Sequence, residues 1–188
     1  MAQNLLQLPP DLPVPEDDGA AAHLVGMSFP AIPLPASDNR LIDLSALPGT
    51  SVVYAYPRTG EPGKPALADN WDMIPGARGC TPQSCAFRDH HADLQHFGAR
   101  VFGLSSQTSA YQQEAVERLH LPFTLLSDAD FALCDALRLP TFDASGTRLF
   151  KRLTLIIEAG RIAHVFYPVF PPDKNADEVL AWLSQRSR

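Results

Sequence analysis

Ser51-Val52-Val53-Tyr54-Ala55-Tyr56 is an unbroken run of β-branched, aromatic and small side chains that stops at Pro57. It shows no alternation of polar and apolar positions. A strand of that kind is covered on both faces, so it belongs in the interior of a sheet with a layer of chain on either side. Few architectures supply two covering layers, and the rest of the chain must provide them.

The downstream order agrees with that demand. Val101–Leu104 and Phe123–Leu126 read as further strands, and Leu153–Ile157 and Ile162–Phe166 flank Glu158-Ala159-Gly160-Arg161 as a hairpin. Between them come helical segments. One has Thr81 as N-cap and Pro82 at the first helical position, carries Phe87, Leu94 and Phe97 on one face and stops at Gly98. Others cover Ser109–Leu119, Asp128–Leu137 behind an aspartate cap, and Ala176–Gln185. Strands separated by helices argue for parallel pairing, and the hairpin adds an antiparallel part. The expectation is an α/β three-layer fold with a mixed central β-sheet, as in the thioredoxin-like class.

Two stretches stand outside this rhythm. Residues 1–22 hold Pro9, Pro10, Pro13 and Pro15, followed by Glu16-Asp17-Asp18-Gly19, and read as an extended, partly mobile arm ahead of a domain over 23–188. Residues 58–79 are rich in Gly and Pro and read as a long loop, a feature that is usually functional or disordered. Closer to the domain start, Phe29–Leu34 reads as an edge strand and Leu41–Leu44 as its return. Phe166–Pro172 is unusually apolar for a loop, which suits a hydrophobic cap on the last helix, the wall of a binding pocket or a protein contact.

Composition narrows the function. With 188 residues, 45% hydrophobic and 19% charged, the chain has the make-up of one globular domain. Its net charge of −6 and lack of a basic run argue against nucleic acid, and no apolar run is long enough to span a bilayer. The first Lys or Arg is Arg40, which leaves no basic leader region, so a cytoplasmic location is expected. Three cysteines, Cys80, Cys85 and Cys134, are too few for a disulfide-stapled scaffold and leave redox or nucleophilic chemistry open.

Gly79-Cys80-Thr81-Pro82-Gln83-Ser84-Cys85-Ala86-Phe87-Arg88-Asp89 concentrates that chemistry. It follows a buried strand and a loop and opens a helix. Unpaired N–H groups and the positive end of the helix dipole at such a place favour thiolate over thiol, and thiolate is the nucleophile. Zinc on Cys80, Cys85, His90 and His91 is disfavoured, because adjacent histidines on a helix point about 100° apart. Cys134 reads as a packed helix residue.

Gly79-Cys80-Thr81, Cys85, Phe87-Arg88-Asp89, Tyr56-Pro57 and Arg152 resemble the peroxiredoxins, in particular their Q-type, bacterioferritin-comigratory subfamily. The likeness covers about Leu24 to Leu183. It implies a thiol peroxidase for hydrogen peroxide and organic hydroperoxides, with Cys80 peroxidatic, Cys85 resolving through a Cys80–Cys85 disulfide, and Arg152 supporting the thiolate and the developing charge. No cofactor or metal is implied. Thioredoxin or a similar dithiol would be the reductant, and the chain a monomer or weak homodimer. Two departures stand out: 22 residues, 58–79, separate Pro57 from Cys80, and Ala77 occupies the position three before the cysteine where the family has a hydroxyl. Pro57, Thr59 and Thr81 are the remaining expected substrate-binding residues, the two threonines as candidates for the missing hydroxyl. A non-enzymatic redox sensor or partner-binding protein on the same fold is the alternative.

Overall fold

The computed structural model describes residues 4–186. A short antiparallel pair, β1 (Leu34–Pro35) and β2 (Leu41–Ile42), leads into β3 (Thr50–Ala55). Next come α1 (Cys80–Asp89), α2 (His91–His96), β4 (Ala99–Ser105), α3 (Ser109–Leu119), β5 (Thr124–Ser127) and α4 (Ala132–Leu137). A hairpin of β6 (Thr141–Ala144) and β7 (Thr147–Phe150) precedes β8 (Leu153–Glu158), β9 (Arg161–Phe166) and α5 (Asn175–Arg186). The central sheet is ordered β5-β4-β3-β8-β9. Its first three strands are mutually parallel and the last two antiparallel, so the sheet is mixed as expected.

Strand β3 sits in the middle, covered on both faces. Val52 and Tyr54 enter one cluster with Phe87, Leu94, Ala115, Leu119 and Val179 from the helices α1, α2, α3 and α5. Val53 and Ala55 enter the other, with Leu133, Cys134 and Leu137 of α4 and with Leu24 and Phe29 from the N-terminal segment. Tyr54 ties β3 to α1: its ring stacks on Phe87 at 4.6 Å and its hydroxyl donates to Ser84 Oγ at 3.0 Å. Burying such a ring is worth on the order of 2–3 kcal/mol, and the stacked pair adds about 1. Its register partner is Gly103, where a Cβ would overlap Leu125 and stand 2.8 Å from the Tyr54 ring.

Several local expectations are corrected. The helix expected from Thr81 to Gly98 begins at Cys80 and breaks at His90, giving α1 and α2. Gly79, not Thr81, is its N-cap; with φ at 105° it turns the chain into the helix earlier than a capping hydroxyl would. The return strand is only β2, because Asp43 caps a 3₁₀ turn at Leu44–Ala46. Helix α4 starts at Ala132, yet Asp128 does cap it, its carboxylate accepting from Leu133 N at 3.0 Å and Cys134 N at 2.8 Å.

The long loop is ordered around its own small core. Trp71, within a 3₁₀ turn at Trp71–Met73, and Ala77 pack with Ala144 and Leu149 of the β6–β7 hairpin. The arm, whose first three residues lie outside those described, is docked rather than free. Asp18 accepts from Lys151 Nζ and Tyr167 Oη, both at 2.6 Å, and Ala21 reaches the core.

Candidate active site

Cys80 is the first residue of α1, directly behind Gly79, and is buried. The helix start leaves early N–H groups without intrahelical acceptors, and Pro82 has none to offer. Across the sheet, Arg152 stands just ahead of β8, also buried. Its Nη2 lies 3.2 Å from Cys80 Sγ. The two residues are 72 positions apart in the chain and are brought together because β8 pairs with β3, whose far end feeds the loop into α1.

The guanidinium is held by its surroundings. Nη2 also faces the carbonyls of Gly76, Ala77 and Arg78 at 3.1, 3.3 and 3.1 Å, and Nη1 donates to Gln83 Oε1 at 2.5 Å. Gln83 in turn donates through Nε2 to Asn175 Oδ1 at 3.0 Å, and Thr154 Oγ1 donates to the same oxygen at 2.6 Å. A buried chain of side chains therefore fixes the arginine from α1, β8 and α5 together. Only its Nε lacks an acceptor among the described residues. The sequence alone does not mark Gln83, Asn175 or Thr154 as site residues. Gln83 lies within the cysteine segment, but nothing local marks the other two.

Ala77 contributes through its backbone what its side chain lacks. Its carbonyl accepts from Arg152 and sits 3.6 Å from Cys80 Sγ. Of the candidate hydroxyls, Thr81 lines the cavity beside Cys80. Thr59 is buried and clamped elsewhere: its N–H and Oγ1 both donate to Gln107 Oε1, at 2.9 and 3.1 Å, and its carbonyl accepts from Gln107 Nε2 at 3.2 Å. Pro57 is buried just past β3. Neither Pro57 nor Thr59 lines the cavity onto which Cys80 opens.

The other cysteines differ from Cys80 in setting. Cys85, half-buried on α1, has its thiol pushed up by desolvation, with the nearby Arg88 working against that. Cys134 is buried in α4, and its thiol is pushed up to about 11, first by desolvation. Desolvation of this kind disfavours the thiolate, the nucleophilic form. All three cysteines are free thiols. His90 turns to acidic neighbours, with Nε2 3.0 Å from Asp177 and Nδ1 3.4 Å from Asp93.

Cys80 opens onto a cavity of about 340 Å³. Leu67 and Trp71 of the long loop, Leu5 of the arm, and Tyr111 of α3 help to line it. Arg78 latches the arm in place, its Nη2 donating to the Asn4 carbonyl at 2.7 Å. Leu8 of the arm and Pro172 from the apolar segment after β9 pack on Gly79 so closely that a Cβ there would collide with both. The Phe166–Pro172 segment thus supports the start of α1, with Pro172–Lys174 forming a 3₁₀ turn against it.

The chain matches the Redoxin family model over residues 24–180. It is 30% identical over 175 residues to peroxiredoxin Q, chloroplastic, of Sedum lineare, covering 93% of this chain and 85% of that protein. Against the putative peroxiredoxin Q, chloroplastic, of Oryza sativa subsp. indica the identity is 31% over 159 residues, but the match spans only 65% of the rice protein. Among solved structures, peroxidoxin BcpB of Mycobacterium tuberculosis superposes with a TM-score of 0.70 at 24% identity, covering 87% of this chain and 98% of that one. That likeness supports the thioredoxin-like fold.

Proposed function

This chain belongs to the redoxin family, as a peroxiredoxin of the Q/Bcp type, and from that premise we propose that it is a thiol peroxidase for hydrogen peroxide and organic hydroperoxides. The observation that carries the reading is the Arg152 guanidinium 3.2 Å from Cys80 Sγ at a helix start. Cys80 thiolate attacks the terminal oxygen of the hydroperoxide. The S–O bond forms as the O–O bond breaks, sulfur is oxidised to the sulfenic acid, and the leaving oxygen takes up a proton and departs as water or alcohol. Arg152 stabilises negative charge on the sulfur before attack and on the oxygens during it. Cys85 then condenses with the sulfenic acid, losing water and forming the disulfide. An external dithiol of the thioredoxin kind restores both thiols by exchange.

Stopped-flow mixing of the fully reduced protein with hydrogen peroxide, followed by loss of the Cys80 thiol, tests this. A second-order reaction far faster than that of free cysteine is expected. Reaction no faster than free cysteine would favour a redox sensor, the reading that Ala77 and its missing hydroxyl would support.

Disulfide formation requires α1 to open. Both cysteines lie within the helix. Five residues of helix give a rise of about 7.5 Å and a net rotation of about 140°, hence a Cα separation of roughly 8.6 Å. A disulfide needs about 4.4–6.8 Å and converging Cβ vectors. Oxidation is therefore expected to unwind the segment from Cys80 to about Phe87. Amide hydrogen exchange on reduced and oxidised protein checks it: faster exchange over residues 80–90 in the disulfide form is the expected result. Equal protection in both, with the Cys80–Cys85 bond verified by mass, would refute the opening.

A further inference from the structure

Hydrogen peroxide needs little more room than a water molecule, about 30 Å³. The cavity at Cys80 is some tenfold larger, at about 340 Å³, within the range of sites for organic ligands. Its apolar walls come from Leu67 and Trp71 of the 58–79 loop and from Leu5 of the arm. A small polar peroxide makes no use of them.

The charges in the cavity are not balanced. Lys64 is paired with Glu61, and Arg78 is engaged by Asp72 at 3.7 Å and by the Asn4 carbonyl. Arg58 has no carboxylate partner among the described residues. It is also held in place. Its guanidinium lies over the Tyr111 ring, 5.0 Å from the centroid. The Tyr111 hydroxyl donates to the Thr59 carbonyl at 3.1 Å, and Gln107 grips both the N–H and the carbonyl of Thr59. The stack and the clamp together present an oriented cation on the wall of a cavity that has apolar and charged sides and that Cys80 also lines. A preorganised guanidinium is well matched to a carboxylate, which it can bind through two parallel hydrogen bonds.

We propose that Arg58 is a specificity residue and that the substrates this chain prefers are organic hydroperoxides carrying a carboxylate, with a hydrocarbon body between the acid and the –OOH group. This rests on the peroxidase reading of Cys80. The body lies against Leu5, Leu67 and Trp71, the carboxylate pairs with Arg58, and the –OOH end meets Cys80. The chemical step is unchanged: the alcohol product keeps its carboxylate.

The test uses 4-(2-hydroperoxypropan-2-yl)benzoate beside cumene hydroperoxide, which has the same skeleton without the charge. The ratio of their second-order rate constants with reduced protein is measured in the wild type, in Arg58→Gln and in Arg138→Gln, a charge-matched change at an exposed position on the far end of α4. In the wild type the carboxylate is expected to react at least about tenfold faster, in line with one charge-assisted hydrogen bond. The ratio should fall to about 1 in Arg58→Gln, persist in Arg138→Gln, and shrink with added salt in the wild type. A wild-type ratio of 1 or below, or an advantage that survives Arg58→Gln, overturns the proposal. Calorimetric binding of the unreactive alcohol 4-(2-hydroxypropan-2-yl)benzoate separates the two readings. Failure of every peroxide to oxidise Cys80 would defeat the peroxidase assignment, while Arg58-dependent binding of the alcohol would still uphold the cavity's ligand class, and its absence would defeat that too.

Discussion

Cys80→Ser is expected to abolish peroxide consumption, while Cys85→Ser consumes about one equivalent and then stops with sulfenic acid on Cys80. The asymmetry follows from position. Cys80 sits at the helix start against Arg152, whereas Cys85 lies five residues on, half-buried, with its thiol raised by desolvation. Removing a nucleophile takes away the group on which the surrounding donors act, so the loss for Cys80→Ser is at least about 10³-fold. Mass spectrometry after a single addition of peroxide distinguishes the variants: no added oxygen in Cys80→Ser, one oxygen atom in Cys85→Ser, loss of two hydrogens in the wild type. Equal residual turnover in the two variants would remove the division of labour. Cys134→Ser should turn over like the wild type, since its sulfur is buried in α4 and makes no contact with Cys80 among the described residues.

The second large effect concerns Arg152. Arg152→Ala should slow the attack on hydrogen peroxide by about 10²-fold or more, the usual consequence of deleting one preorganised donor at developing charge. Arg152→Lys should recover only part of the rate, because an ammonium keeps the charge but cannot reach the sulfur, three carbonyls and Gln83 at once. Losing the arginine also strips donors from buried acceptors, at about 1–3 kcal/mol for each group left unsatisfied. Circular dichroism and thermal melts must therefore accompany the kinetics. The rate of Cys80 alkylation by iodoacetamide gives an independent reading of thiolate character. If attack and alkylation both keep their wild-type rates in a folded Arg152→Ala protein, the arginine has no part in activating the sulfur.

How far the residues themselves revealed this site depends on which part of each residue acts. The strand Ser51–Tyr56 is legible because its side chains carry the burial, and Cys80, Cys85 and Arg152 because the chemistry proposed for them lies in their side chains. The mixed character of the sheet follows from the alternation of strands and helices and from the closing hairpin. Thr81 misled as a cap because the left-handed turn at Gly79 does the work of entering the helix, and a glycine signals freedom without saying where it is used. The β6–β7 hairpin is faint in the sequence although Ser145-Gly146 marks its turn, since its strands are only four residues each. The seat of the arm's beginning is illegible for a deeper reason: it is latched through the main-chain carbonyls of Asn4 and Gln7, which every residue has. Ala77 is the same case. Its side chain predicts a missing contact, whereas its carbonyl supplies one to both Cys80 and Arg152.

Trp71, nearly buried in the wall of the Cys80 cavity, has an optical consequence. The chain's only other indole, Trp182, is stacked on His164 and covered by Arg186 on α5. A Trp182→Phe variant would leave a single indole emitter, in the wall of the cavity that Cys80 lines and beside the helix start proposed to unwind. Its emission would then follow ligand entry, sulfur oxidation and helix opening as successive phases, giving the protein an internal clock that needs no added dye.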